Sequence, residues 1–290
     1  MWKFIKGVTK FTFYVSLTLL LIFFPIFFLF DKYFHISPPI TLNLPANVEV
    51  HADNSVGSGV VYLNDDRAFV WTCAHVVANN VNTVVCIDFH KNKLTGVQTK
   101  KPLNILVKLF NSDFEEYGEV KVWAKIIRYS YNDDIALLEL SRNHVFHKGV
   151  DFPKCPNYKV YPGTKIFHIG SMSGEIGHKS MVEGIHGMSG LKLEDHKKYD
   201  RLGMNVQSGS SGGGVFEVNT GLCIGIVARS QDEVSKNQAY MIGWTRMVEF
   251  AKRLDCMWAL DHRYTVPENY LDAFSDDVLE LPDTILKHLK

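Results

Sequence analysis

Three polar residues of this 290-residue chain could together do chemistry that none of them does alone: His75, Asp134 and Ser211. A serine hydroxyl is a weak nucleophile until a base removes its proton. An imidazole does this near neutral pH and can return the proton to a leaving group. A carboxylate on the other ring nitrogen fixes the tautomer and stabilises the imidazolium. Ser211 lies in Gly209-Ser210-Ser211-Gly212-Gly213-Gly214. Small residues let the backbone turn tightly and let another chain approach closely. In such a turn the amides of Gly209 and Ser211 could face an oxyanion. Taken singly, a Gly/Ser loop is more often a simple turn, a His after a strand is more often structural, and an Asp before a strand is more often a turn residue. The three settings together are far less common by chance.

Each setting needs an element to hold it. Val60–Leu63 and Ala68–Thr72 read as strands joined by a hairpin turn at Asn64-Asp65-Asp66-Arg67, and the second delivers His75. Asp134 precedes the short apolar strand Ile135–Leu140. Leu202–Val206 and Val215–Val218 flank the glycine loop, and Leu222–Ala228 follows. Further strands are expected at Val84–Phe89, Ile105–Phe110, Val120–Ile127, Lys165–Ile169 and Val182–Met188, with polar loops at residues 90–104 and 194–201. Helical periodicity becomes convincing only over Thr245–Leu260, where Met247, Phe250, Ala251, Leu254 and Trp258 share a face. The acidic tail, residues 261–290, offers Phe274, Val278, Leu279 and Leu281 for one more short helix. Many short strands, Gly-rich turns and a late helix favour an all-β fold and disfavour a doubly wound sheet.

The chain carries 31 basic and 31 acidic side chains, and no basic block stands beside interleaved aromatics. Nothing here argues for nucleic-acid binding. Residues 11–30 are uncharged and mostly Phe, Leu and Ile. Such a run is long enough to cross a bilayer as a helix. Lys3, Lys6 and Lys10 precede it, which sets residues 1–10 in the cytoplasm and the remainder outside it. The run is long for a cleaved signal peptide, and no clear small-x-small site follows. The expected organisation is a basic segment at 1–10, an anchor in the lipid bilayer at 11–30 and a linker at 31–47. The globular domain then spans 48–260, ahead of the tail. Cys73, Cys86, Cys155, Cys223 and Cys256 include no Cys-x-x-Cys, and His178, Glu183 and His186 do not form His-Glu-x-x-His. No metal site is indicated. An exported domain would permit one or two disulfides, which the spacing does not assign.

Four stretches carry a resemblance: Gly57-Ser58-Gly59-Val60-Val61, Thr72-Cys73-Ala74-His75-Val76-Val77, Asp134-Ile135-Ala136-Leu137-Leu138 and Gly209-Ser210-Ser211-Gly212-Gly213. In this order the chain resembles a trypsin-like serine protease of the chymotrypsin fold, closer to the Deg/HtrA branch than to digestive trypsins, over about residues 48–260. The resemblance implies two six-stranded antiparallel β-barrels with the site between them, a C-terminal helix, a polypeptide substrate and no cofactor. It implies His75 as general base and acid, Asp134 as its carboxylate, Ser211 as nucleophile, and Gly209 and Ser211 as oxyanion donors. Asn205 matches the base of the P1 pocket, and Ala228, Arg229 and Ser230 match the edge that holds substrate backbone.

Departures carry their own expectations. Gly214 replaces a usual proline and should loosen the loop. Ser210 replaces the aspartate of zymogen-type enzymes, against activation by N-terminal cleavage. Asn205 implies a pocket for uncharged side chains, and Arg229-Ser230 replaces the Trp-Gly of digestive enzymes. The residues after the helix are too few for the PDZ domain of the branch. The expected function is therefore a membrane-tethered serine endopeptidase, its domain outside the cytoplasm. The alternatives are a protease-fold peptide-binding or chaperone-like module with little turnover, and an esterase using the same triad.

Overall fold

The turn at Asp65 and Asp66 shows how closely local chemistry sets this fold. Both residues have positive φ, 47° and 57°, as the tightest hairpin connection requires. In the computed structural model of the protein, residues 43–52, 55–78, 81–88, 93–100, 103–110, 116–141, 146, 148–171, 179–230, 237–268, 270 and 279–280 are described. That turn joins β2 (Ser55–Asn64) to β3 (Arg67–Cys73). Before them runs β1 (Asn47–Ala52), and after them the single turn α1 (Ala74–Val77) carries His75. There follow β4 (Val81–Asp88), β5 (Lys93–Lys100), β6 (Leu103–Phe110), β7 (Glu116–Ser130) and β8 (Ile135–Leu140).

The second half contains β9 (Lys165–Ser171), β10 (Lys179–Lys192), β11 (Lys198–Gly203), β12 (Gly214–Glu217), β13 (Cys223–Ser230) and β14 (Ala239–Gly243). The helix α2 (Trp244–Arg253), a 3-10 turn at Met257–Ala259 and the short β15 (Leu279–Glu280) end the described chain. The second-half strands close as a six-stranded barrel, β10-β11-β14-β13-β12-β9.

The first half departs from the expected six-stranded barrel and corrects it. It is a seven-stranded sheet in the order β15-β7-β6-β1-β2-β3-β8, and β4 and β5 form a separate two-stranded sheet. Within this sheet β7 carries two pairings. Its first part pairs with β6 and its second with β8, with a register shift between Ile126 and Arg128. Such a bulge bends a strand. β15 then adds in parallel at Tyr129 and Ser130. The transmembrane part of the expected fold also has no counterpart among the described residues. None of their helices is long and apolar enough to cross a membrane, and residues 11–30 lie outside them.

Smaller differences have local causes. The charged stretch at 194–201 is largely strand and turn, because Tyr199 and Leu202 turn inward. Residues 93–100 form β5 against β4 rather than a loop. The C-terminal helix stops at Leu254, and Asp255 follows with φ 48°. Leu279–Glu280 is strand where a helix was expected; the rest of that expected helix lies outside the described residues. Cys73, Cys155, Cys223 and Cys256 are all free thiols.

The helix α2 and the 3-10 turn brace the strand that leads to His75. Trp71 of β3 is fully buried, meets Phe250 edge-on at 5.7 Å and donates its indole N–H to Ala259 O at 2.8 Å. Phe69 packs on Trp258 at 4.9 Å. At its start, α2 stacks Trp244 on Phe152, in the stretch between β8 and β9.

Candidate active site

His75 Nδ1 lies 2.9 Å from both carboxylate oxygens of Asp134, and the His75 backbone N–H donates to Oδ1 at 3.0 Å. Asp134 is buried, while 46% of the His75 side chain is exposed. The imidazole thus keeps one nitrogen on the carboxylate and the other toward the open side. Asp134 itself has φ 59°, a left-handed conformation unusual for a non-glycine residue. Its backbone is fixed at both ends: the amide donates to Tyr131 O at 3.2 Å, and its carbonyl accepts from Ala74 N at 3.0 Å.

The neighbouring acid faces the other way. Asp133 takes Ser130 Oγ at 2.8 Å and the Arg253 guanidinium, while Arg246 of α2 donates to its carbonyl at 2.7 Å. Arg246 also donates to Lys198 O. Lys197 donates to Tyr131 O at 2.7 Å. The helix and the β10–β11 turn therefore fasten the loop that presents Asp134. Nothing in the sequence of α2 or of that turn marked these contacts.

Ser211 sits at the mouth of a rigid loop. Gly209 and Gly212 have φ of 91° and 87°, conformations in which a side chain is strained. Gly212 also packs so closely that a Cβ would lie 2.1 Å from Ser58 O. The loop joins β2 where Ser58 N–H donates to Ser211 O at 2.8 Å, and β13 where Gly212 N–H donates to Val227 O at 2.7 Å. Ser58 is fully buried; its hydroxyl donates to Gly209 O at 2.7 Å and accepts from Ser171 N–H at 2.8 Å. It fixes the carbonyl of Gly209. In the sequence Ser58 stood only within one of the stretches that carry the resemblance, with no role of its own.

Gly214 is not loose. It opens β12, donates to Asn47 Oδ1 at 3.3 Å and accepts from the ring of His168 at 2.9 Å. Proline would remove that donor. Ser210 is buried, with its hydroxyl accepting from Gln207 N–H at 3.4 Å.

The Ser211 hydroxyl donates to Ala228 O at 3.0 Å, and no hydrogen bond joins it to His75. Ala228 is buried, whereas Asn205, Arg229 and Ser230 are exposed. Cys73 stands behind the pair: donor atoms of Cys73, His75 and Asp134 lie within 4.8 Å of one another. Thiolate, imidazole and carboxylate are ligands zinc accepts. The Cys73 thiol, however, is pushed well up by burial and by the Asp134 charge, and it donates to Val227 O at 3.2 Å. It stays protonated and supports the strand end.

The comparisons bear on the fold that carries these residues. The model of the trypsin-like peptidase domain matches residues 57–226, more than half of the chain. No curated protein matches at the level of sequence. Among solved structures, the inactive form of Rv3671c from M. tuberculosis is 16% identical with a TM-score of 0.52, over 74% of this chain and 88% of that one. The serine endoprotease from Yersinia pestis is 16% identical with a TM-score of 0.52, over 74% and 64%. The HtrA-type protease AlgW with tripeptide is 15% identical with a TM-score of 0.53, over 76% and 62%. At these identities the likeness is one of fold. The chain belongs to the trypsin-like peptidase domain family, and its fold is shared with HtrA-type proteases.

Proposed function

We propose that the protein is a serine endopeptidase in which Ser211, His75 and Asp134 form the catalytic triad. The observation that carries this reading is the bidentate approach of Asp134 to His75 Nδ1, both contacts at 2.9 Å. Rotation of the Ser211 side chain would release its hydroxyl from Ala228 O. His75 Nε2 then takes the hydroxyl proton as Oγ attacks a peptide carbonyl. The amides of Gly209 and Ser211 receive the oxyanion; neither has an acceptor among the described residues. His75 passes its proton to the leaving amine, leaving an acyl ester on Ser211. Water, activated by the same imidazole, hydrolyses that ester.

The substrate is an extended or locally unfolded polypeptide whose backbone lies along Ala228–Ser230. Asn205 gives the P1 pocket a neutral base and a preference for uncharged side chains. The uncharged stretch at 11–30, with its lysines on the N-terminal side, supports a bilayer tether and a domain outside the cytoplasm. On a denatured protein substrate, Ser211→Ala should lower cleavage to background while leaving the melting temperature nearly unchanged. Full turnover in that variant would refute the assignment.

One observation favours a second reading, a peptide-binding module with little turnover: the nucleophile hydroxyl is engaged by Ala228 O. Active-site titration separates the two. Stoichiometric acylation supports the peptidase; peptide binding without acylation supports the module.

A further inference from the structure

Beside Ser211, the end of β13 presents a cation that peptide cleavage itself does not use. On one side β13 pairs with β14, through Arg229 with Tyr240 and Ser230 with Ala239. On the other side the pairing with β12 ends at Ile226, and the last backbone bonds join Val227 to Gly212 and Gly213. Among the described residues, no strand continues the sheet beyond that point along Ala228–Ser230. The Ser211 hydroxyl faces this free edge, 3.0 Å from Ala228 O.

An extended peptide completes such an edge through antiparallel backbone hydrogen bonds. The carbonyl under attack must lie against Ser211 Oγ. The peptide residue that bears it, P1, therefore lies opposite Ala228. In an antiparallel pair the residue before it, P2, then lies opposite Arg229. Directly opposed side chains project from the same face, with Cβ atoms about 5 Å apart. The register places the P2 side chain beside the Arg229 guanidinium.

That guanidinium is held in place but, among the described residues, sparsely paired. It lies 5.0 Å over the ring of Tyr199 and 5.9 Å from that of Tyr240, both buried. Its carboxylate contact is Asp195, at 3.3 Å from Nη2, and 43% of the Arg229 side chain is exposed. The same Asp195 oxygen also accepts the Tyr199 hydroxyl at 3.0 Å. A guanidinium carries five N–H donors in a planar fork, so one single-point contact leaves most of the fork for a ligand. Lys197 and Arg246 add positive charge around Tyr131 and Tyr199. Two further acids lie nearby: Asp133 is taken up by Arg246 and Arg253, and Asp134 by His75.

We propose that Arg229 is a specificity-determining residue that selects substrates with Asp or Glu at P2. A carboxylate there meets a planar donor fork already fixed on two rings, which favours bidentate pairing. The inference rests on the endopeptidase reading and on the register that follows from it.

The test uses the full chain and peptides built on its best-cleaved site in a denatured protein, differing only at P2. Replacing Gln by Glu at P2 should raise kcat/KM about two- to fivefold, the range of a partly exposed ion pair. Arg229→Gln should bring the ratio close to one, and Arg229→Glu should turn the preference toward Lys. If those variants fold poorly, the wild-type enzyme still decides: its Glu preference should shrink as salt rises to about 1 M, where charge pairs are screened. A wild-type ratio near one, or a ratio unchanged in folded Arg229→Gln or insensitive to salt, overturns the inference while the peptidase stands. Absence of both cleavage and fluorophosphonate labelling overturns the peptidase reading, and this inference with it.

Discussion

At Gly212 one hydrogen atom decides whether the nucleophile loop can exist. Positive φ and a Cβ position 2.1 Å from the Ser58 carbonyl forbid any side chain. Gly212→Ala should cost about 4 kcal/mol or more and abolish labelling of Ser211, as denaturant titration and intact-mass measurement would show. Ser58 acts more gently. Ser58→Ala leaves Gly209 O and Ser171 N without their shared hydroxyl, at a cost of about 1–3 kcal/mol. Because that hydroxyl fixes the carbonyl of Gly209, the residue whose own amide is a proposed oxyanion donor, the acylation rate should fall more than stability does. Equal labelling rates in Ser58→Ala and wild type would refute that role. His75, Asp134 and Ser211 stood out as candidates in the sequence because their types and glycine context are restrictive. Ser58, Arg246 and Lys197 did not, since a serine between glycines and surface cations occur in many settings without such contacts.

Among the elements, β9 carries a buried titrating group and β3 carries the strand end at His75. His168 of β9 is fully buried, and burial pushes it down to about 4 against the opposing hydrogen bond to Gly214 O. Its folded pKa lies below its unfolded value of about 6.5, so the unfolded chain binds more protons between these two values. This contribution to stability is complete above about pH 6.5 and is lost as pH falls from there through about 4. It amounts to about 3 kcal/mol at most. His168→Asn keeps a donor for Gly214 O and should flatten this part of the stability profile, read as urea midpoints between pH 7 and 5. On β3, Trp71→Ala should cost about 3–5 kcal/mol, because it removes the contact with Phe250 and the bond to Ala259 O. Near-continuous apolar runs of strand length, such as Val60–Leu63 and Ile135–Leu140, were legible in the sequence. The β10–β11 turn was not: its charged residues resemble a surface loop, and pairing with both β10 and β14 makes Lys198–Gly203 a strand.

For the whole molecule, the all-β class and the late helix followed from strand-length apolar runs and one helical period. The strand count of the first half did not follow, because the parallel docking of β15 depends on long-range pairing. In the proposed site, α1 and the loop before β8 carry His75 and Asp134, while the loop before β12 carries Ser211. The most direct test of this account is exposure of the full chain to a fluorophosphonate, followed by peptide mass mapping. The expected result is one adduct, on Ser211, that disappears in Ser211→Ala and forms far more slowly in His75→Ala. An active peptidase with an unmodified Ser211, or an adduct formed equally fast in His75→Ala, would contradict it.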